Sequence, residues 1–552
     1  MSDKVIKLEL SDEFLLDSAE KRYQAGDYFG ALTILNKRAE IFDSNADACA
    51  LYADIYEEME LYRLSADAWF RFLDTCNEAD FPEGYEGLAV AFMNLNNDAQ
   101  SAYYYRRSLT EEDLDSVLGK LDGADFAPEY RPQLRLIYSN DGTHGNPNAL
   151  SEGLALLKEG RLEEARETFR DMPAVSSDYA SALGLSAMCT LMLGDEEGAE
   201  EECVKLLDQY PDNVQALTTY CAVLGAREDR ERAKEVAKKL AQLEVDSTDD
   251  LYRVATALCE TGLDQEACEK LTILKKRIPY DDNVLYFHAV AAYRTGKTEE
   301  AIESLERLTA LFPRKAVARY YLERLREFRD GERQEVPMTY YYRMPEEEYR
   351  TVADFLIAAS NAPDPALLSE LTSLEEFYRL AFDELEGRDE KLQMIAAKVA
   401  VRCRNDKFVR EVLLNYEGDE IIKLSILHDL TVRNENDSFG VVICNLYKEF
   451  FTHHLEIGER KREAFLKAFA DVYSKFALLG EENEGKICAA AEDIYATLGD
   501  AEAWEYMDER ASLAAAIYRE ARMKRAERSL DEVVKMFEAD KIIVERILNF
   551  MM

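Results

Sequence analysis

Residues 291–313 read AAYRTGKTEEAIESLERLTALFP. At the centre, Gly296-Lys297-Thr298 has the ending of a phosphate-binding loop, in which backbone amides after a strand cradle the phosphates. Such a loop also needs a glycine five residues before its Gly-Lys pair. That position holds Ala291, inside a run of helix-forming residues. Gly296 is therefore read as a turn between two helices, and the same turn recurs as Gly194-Asp195-Glu196 and Gly262-Leu263-Asp264.

The recurrence has a period. Ala165, Ala199, Ala233, Ala267 and Ala301 stand 34 residues apart, each near the start of an amphipathic stretch. Gly160, Gly194, Glu228, Gly262 and Gly296 precede them at a constant offset, and Pro211, Pro279 and Pro313 close three of the units. Glycine permits a tight turn and proline stops a helix. A small residue keeps its place in each first helix: Gly153, Ala187, Cys221, Ala255 and Ala289. Phe169, Cys203, Ala237, Leu271 and Leu305 lie four residues after the repeating alanine, one turn further along the same face.

Paired helices with this period resemble the tetratricopeptide repeat family, over residues 146–313. The aromatic usual early in the family's first helix is replaced by Leu183, Leu217, Leu251 and Leu285. The N-terminal part reads in the same way: Gly26 and Ala31, then Glu60 and Ser65 one period on, then Asn96 and Ser101 two residues late. Three more repeats are thus expected over residues 12–110. Further on, IAAKVAVRCRNDKFVREV from 395 is echoed by ILHDLTVRNENDSFGVVI from 426, a shift of 31 residues that resembles a HEAT-type hairpin repeat.

The expected fold is all-α, a right-handed α-solenoid of tetratricopeptide hairpins followed by a C-terminal helical, HEAT-like region. Its expected parts are an N-terminal block (1–110), an irregular linker (111–147), a second block of five repeats with a capping helix (148–330), a Pro/Tyr linker (331–345) and a helical domain (346–552). Only 12 prolines and 24 glycines in 552 residues agree with helix nearly throughout. In the Pro/Tyr linker, Pro337 and Pro345 bracket Tyr340, Tyr341 and Tyr342. It reads as an extended linker, either packed where two domains meet or tethered so that it occupies a groove and regulates access.

Composition narrows the partners. With 110 acidic against 67 basic residues the net charge is -43, which opposes nucleic acid and anionic lipid. No leader, long apolar span, C-x-x-C pair or zinc-spaced Cys/His cluster is read, and a cytoplasmic location is expected. His453 and His454 are adjacent, so on a helix they diverge by about 100° and share a metal poorly. His288 and the cysteines at 189, 203, 221 and 268 read as packed core. No catalytic residue, metal or cofactor is assigned.

Function then rests on surfaces. The family resemblance implies that the first helix of each pair lines a concave groove, whose ligand is an extended peptide or a helix of another protein. Counting from the small residues, the N-terminal groove presents Glu20, Asp47, Asp54, Glu57, Glu58, Glu83 and Glu86 and is expected to be acidic. The second presents Leu157, Met188, Leu191, Met192, Tyr252, Tyr286, Tyr293 and Arg294 and is expected to be apolar and aromatic. The Lys/Asn/Arg set with which family members hold a partner's C-terminal carboxylate is missing. Residues 11–110 carry 8 basic against 19 acidic side chains, which also serves solubility. The basic stretch Arg519, Arg522, Lys524, Arg525 and Arg528 is a second candidate surface, for docking on an acidic groove. The expectation is a non-enzymatic scaffold for basic or amphipathic segments of other proteins. A peptide-sensing regulator, or an enzyme with its site in residues 346–552, is the alternative.

Overall fold

The computed structural model describes residues 11–109, 149–158, 160–362, 374–383, 390–433, 438–443, 445–451, 464–465, 467–469, 471–472, 484–521 and 529–551. The chain divides into two compact units, Asp125–Arg343 and the joined chain ends, Met1–Ala124 with Met344–Met552. The irregular linker, His453, His454 and the basic positions 522–528 lie outside the described residues.

The N-terminal block is built of helical hairpins, α1 (Asp12–Gln24) with α2 (Tyr28–Ile41), α3 (Ala46–Glu58) with α4 (Tyr62–Thr75), and α5 (Phe81–Asn94) with α6 (Asp98–Ser108). The second block continues the scheme: α7 (Ala149–Lys158) with α8 (Leu162–Arg170), α9 (Tyr179–Met192) with α10 (Glu196–Gln209), and α11 (Val214–Ala226) with α12 (Arg230–Gln242). Then come α13 (Thr248–Thr261) with α14 (Asp264–Arg277), α15 (Asp282–Arg294) with α16 (Thr298–Leu311), and α17 (Ala316–Arg329).

Local chemistry sets the helix ends. Asn45, Asp195, Asn213, Asp229 and Asp281 each accept a backbone N–H of the first helical turn, relieving donors that a helix start leaves unpaired. Between the helices of a pair the chain passes through one left-handed residue, Gly26, Gly160, Gly194, Gly262 or Gly296, with φ between 72° and 86°. Glu60, Asn96 and Glu228 take the same conformation at the equivalent places despite their side chains. Gly296-Lys297-Thr298 is such a turn, as the sequence indicates.

Packing follows the register. Ala31, Ser65, Ala165, Ala199, Ala267 and Ala301 are fully buried and Ala233 is nearly so, as are Phe169, Cys203, Ala237, Leu271 and Leu305. A Cβ on Gly153 would meet the Phe169 ring at 2.4 Å, so only glycine lets those helices touch there.

The C-terminal region is helical through Glu346–Ser360, Leu374–Asp383, Glu390–Arg402, Asp406–Leu414 and Glu420–Val432. An antiparallel hairpin follows, β1 (Ser438–Ile443) against β2 (Leu446–Phe451), with Ile443 opposite Leu446. This corrects the 31-residue echo. Its first copy is a helix pair, but in the second Phe439 lies on a strand, because SFGVVI and LYKEFF are rich in the β-branched and aromatic side chains that suit a pleated surface. Arg433, the echo of Arg402, instead reaches back to Asp406 at 2.7 Å. Glu484–Asp500, Arg510–Glu520, Leu530–Phe537 and Lys541–Phe550 enclose a separate core around Ile494, Met507, Leu513 and Ile517.

Within the joined unit, the hairpin and the helix Asp406–Leu414 pack on the second helices of the N-terminal pairs. Asp74 of α4 accepts Gly440 N–H at 2.8 Å and the Arg410 guanidinium at 3.1 Å. Tyr104 of α6 donates to the Asn445 carbonyl at 2.6 Å and accepts the Tyr447 amide at 3.2 Å. The first helices, α1, α3 and α5, carry the acidic candidates.

Candidate functional site

In the N-terminal groove Glu20, Asp47, Glu58, Glu83 and Glu86 are exposed, and Asp54 and Glu57 are half-buried. The structure brings part of this set together. Burial holds the Asp54 carboxyl above its ordinary range, with the charges of Glu83 and Glu58 adding to it. Glu57 is raised in the same way by burial, then by Asp54 and Glu58. Tyr28 OH donates to Glu58 at 3.3 Å, and burial, then the fields of Asp54 and Glu58, raise Tyr23. Carboxylates from successive first helices thus form one cluster whose members repel each other. An approaching cation would relieve both the repulsion and the desolvation cost.

The second groove is of two kinds. In its first part Met192 is exposed and Met188 half-buried, while Leu157 and Leu191 lean on the cores between helices instead. Tyr252 is half-buried, and its phenol is pushed up to about 12, by burial first and then by Asp281 and Asp282.

Across its last part lies a segment of the same chain. After α17 the chain turns at Gly331 (φ 81°), where each earlier repeat would begin its second helix, but residues 332–343 form no helix. Burial alternates along them: Val336, Met338 and Tyr342 are buried, whereas Pro337, Tyr341 and Arg343 are exposed. Period-two alternation is the mark of an extended chain lying on a surface. Tyr286 OH donates to the Thr339 carbonyl at 3.0 Å, Arg294 to the Met338 carbonyl at 3.1 Å, and Tyr321 OH to the Arg343 carbonyl at 2.7 Å. Tyr293 OH accepts the Val336 amide at 2.8 Å. Tyr340 OH donates to Asp264 at 2.7 Å, and its ring lies under the Arg294 guanidinium. Tyr342 meets the Tyr286 ring edge-on at 4.8 Å and accepts Ala318 N–H at 3.1 Å. Tyr286, Tyr293 and Arg294 all contact this segment, and Tyr286 is only 1% exposed beneath it.

Cys268, His288 and Glu300 bring one ligand atom each within 4.8 Å. The surroundings oppose a cation. Both ring nitrogens of His288 are engaged, with Ser304 at 2.9 Å and Thr272 at 3.3 Å, and Lys297 lies 3.6 Å from the Cys268 sulfur. Burial, then Lys275 and Lys297, pull the His288 imidazole down to about 4. The ring is a neutral core group in a positive field.

The tetratricopeptide repeat family model matches residues 284–315, which are α15, its turn and α16. The same helix–turn–helix geometry and register run through both blocks, which are built of tetratricopeptide-type repeats. No curated protein matches it significantly. Solved structures similar to it include the TPR2AB domain of yeast Sti1 in its pHSP90 complex, at 17% identity, covering 48% of this chain and 97% of that one, with a TM-score of 0.17. The C-terminal part of a TPR repeat-containing protein from Cytophaga hutchinsonii shares 12% identity, over 54% of this chain and 95% of that one, with a TM-score of 0.16. The human IFIT1 dimer with PPP-AAAA shares 14% identity, over 78% and 96%, with a TM-score of 0.27. At these scores the likenesses carry no argument about function. Among the described residues no helix is long and apolar enough to cross a membrane.

Proposed function

We propose that the protein is a non-enzymatic interaction scaffold whose N-terminal groove takes a basic segment of a partner protein. The observation that carries this reading is the cluster of Asp54, Glu57, Glu58 and Glu83, in which the half-buried Asp54 and Glu57 of α3 are raised by burial and by the charges of their acidic neighbours, the exposed Glu58 and, for Asp54, Glu83 of α5. Partly desolvated like charges hold a standing electrostatic cost, and a lysine- or arginine-bearing segment offsets it where it binds. The C-terminal region packs on α4 and α6 and touches α5 through Phe81 and Phe92, and the acidic side chains of α1, α3 and α5 are exposed or half-exposed. In the second block the groove supports amphipathic partners through Met188, Met192 and Tyr252. Tetratricopeptide repeats bind peptides and proteins and are generally without catalysis, which agrees with this reading.

The test is uptake of a labelled Lys/Arg-rich peptide by the full chain, compared with Asp54→Asn/Glu57→Gln/Glu58→Gln. A control neutralises Glu196, Glu197 and Glu201 in the other unit. Loss of binding in the groove variant alone supports the reading. Equal binding by all three proteins would make the attraction a matter of net charge and defeat it.

A further inference from the structure

The geometry points to the groove between α15 and α17 as a binding site for an extended, aromatic segment of a partner protein, for which residues 335–343 act as a built-in competitor. This rests on the reading that groove faces of these repeats bind peptides. It adds which groove, what the ligand looks like and what controls access.

The groove grips the backbone of its occupant at four places through side chains. Arg294, Tyr286 and Tyr321 donate to the carbonyls of Met338, Thr339 and Arg343, and Tyr293 accepts the amide of Val336. Such bonds are independent of sequence, and any extended chain offers the same groups. Specificity comes from alternate side chains on the groove side. Met338 is buried, Tyr340 reaches Asp264 and lies under Arg294, and Tyr342 packs against Tyr286 with its hydroxyl on the first turn of α17. The site therefore reads an apolar residue and then aromatic hydroxyls two and four positions later, in an extended chain. The other face of the occupant, with Pro337, Tyr341 and Arg343, points to solvent, and Tyr341 is 57% exposed.

The position of the segment supports a replaceable occupant. Five repeats of the second block follow their turn with a second helix, but after Gly331 the chain crosses the groove in extended form. A short tether gives such a segment a local concentration on the order of millimolar. A groove closed 99% of the time weakens a competing peptide about 100-fold, and release of the segment restores that factor.

The experiment titrates a fluorescein-labelled peptide of residues 334–344 into the full chain and into Met338→Ser/Tyr340→Ser/Tyr342→Ser. Hydrogen exchange over 335–343 reports release, and circular dichroism reports the fold. The expected result is uptake by the released variant at least about ten-fold tighter than by the unaltered chain, abolished when Arg294→Ala is added. No uptake by a folded, released variant would overturn the proposal and leave the segment a fixed part of the block. Dimerisation of that variant without peptide uptake would make the occupant a second copy and would also overturn it. Should the triple variant lose helicity, Tyr340→Phe, which keeps the ring and deletes the hydroxyl's bonds to Asp264 and Cys259, decides: tighter uptake supports the proposal and unchanged uptake overturns it. The basic peptide is run in parallel on the same variants. If it binds while the 334–344 peptide does not, only this proposal fails; the converse result removes the acidic-groove reading alone.

Discussion

Single positions in the repeat register show how far a residue's neighbours decide its worth. Ser65 stands where other repeats carry alanine, is fully buried, and its hydroxyl has no hydrogen-bond partner. Ser65→Ala should therefore raise stability by about 1 kcal/mol, read as a higher denaturant midpoint at unchanged slope. Glu228 holds φ at 59° in a turn where glycine is the usual choice, so Glu228→Gly should stabilise by up to about 1 kcal/mol. His288 gives a pH dependence with a definite sign. Its folded pKa lies at about 4, below the ordinary histidine value, so the unfolded chain binds the proton first as the solution is acidified. Its contribution is present above about pH 6.5 and falls by roughly 2–3 kcal/mol on the way to pH 4. In His288→Gln the slope of unfolding free energy over this window should shrink, whatever the carboxylates contribute. The repeating alanines were legible from spacing alone, because a small buried residue has no substitute there. The left-handed Glu60 and Glu228 were legible only through the register, since nothing in their chemistry asks for that conformation, whereas Asn96 is of a type that adopts it readily.

At the scale of helices and strands, the hairpin pair is the unit that energetics acts on. Ala267 is fully buried between α14 and its partner helices, so Ala267→Leu should overpack the pair at a cost of about 1–3 kcal/mol, measured by thermal unfolding. An unchanged midpoint would contradict the register. The elements that sequence reading missed had signals of their own. SFGVVI and LYKEFF carry strand-type residues, but the apparent 31-residue echo assigned Phe439 to a helix. In the segment after α17, Val336, Met338, Tyr340 and Tyr342 fall at period two, and Pro337 and Pro345 mark an extended chain, read either as a junction or as a segment that occupies a groove. Counting from Ala289 picks out Tyr286, Tyr293 and Arg294, the side chains that contact this segment. That the segment lies in a groove is one of the two readings its residues allow; its register is not legible, because hydrogen bonds to main-chain carbonyls leave no trace in residue type.

At the scale of the molecule, the chain ends meet in one unit, and that contact spans more than three hundred residues with no period to announce it. The Asp74 side chain is 8% exposed and holds both Arg410 and the Gly440 amide. Asp74→Ala should cost about 2–3 kcal/mol, less than a fully buried pair because Arg410 is 37% exposed. Hydrogen exchange should then rise in 438–451 and not in α9–α16, a distribution that a general loss of stability would not give. Net charge acts over the same scale: at -43 a basic protein is drawn to the whole surface, so the proposed docking on the clustered carboxylates has to be separated from that general attraction. The most direct test is therefore the salt and pH dependence of a Lys/Arg-rich peptide binding to the full chain and to Asp54→Asn/Glu57→Gln/Glu58→Gln. The account predicts binding that weakens with salt, weakens again as acid protonates Asp54 and Glu57, and is lost in the variant while the Glu196/Glu197/Glu201 control keeps it. Binding that the groove substitutions leave unchanged would contradict it.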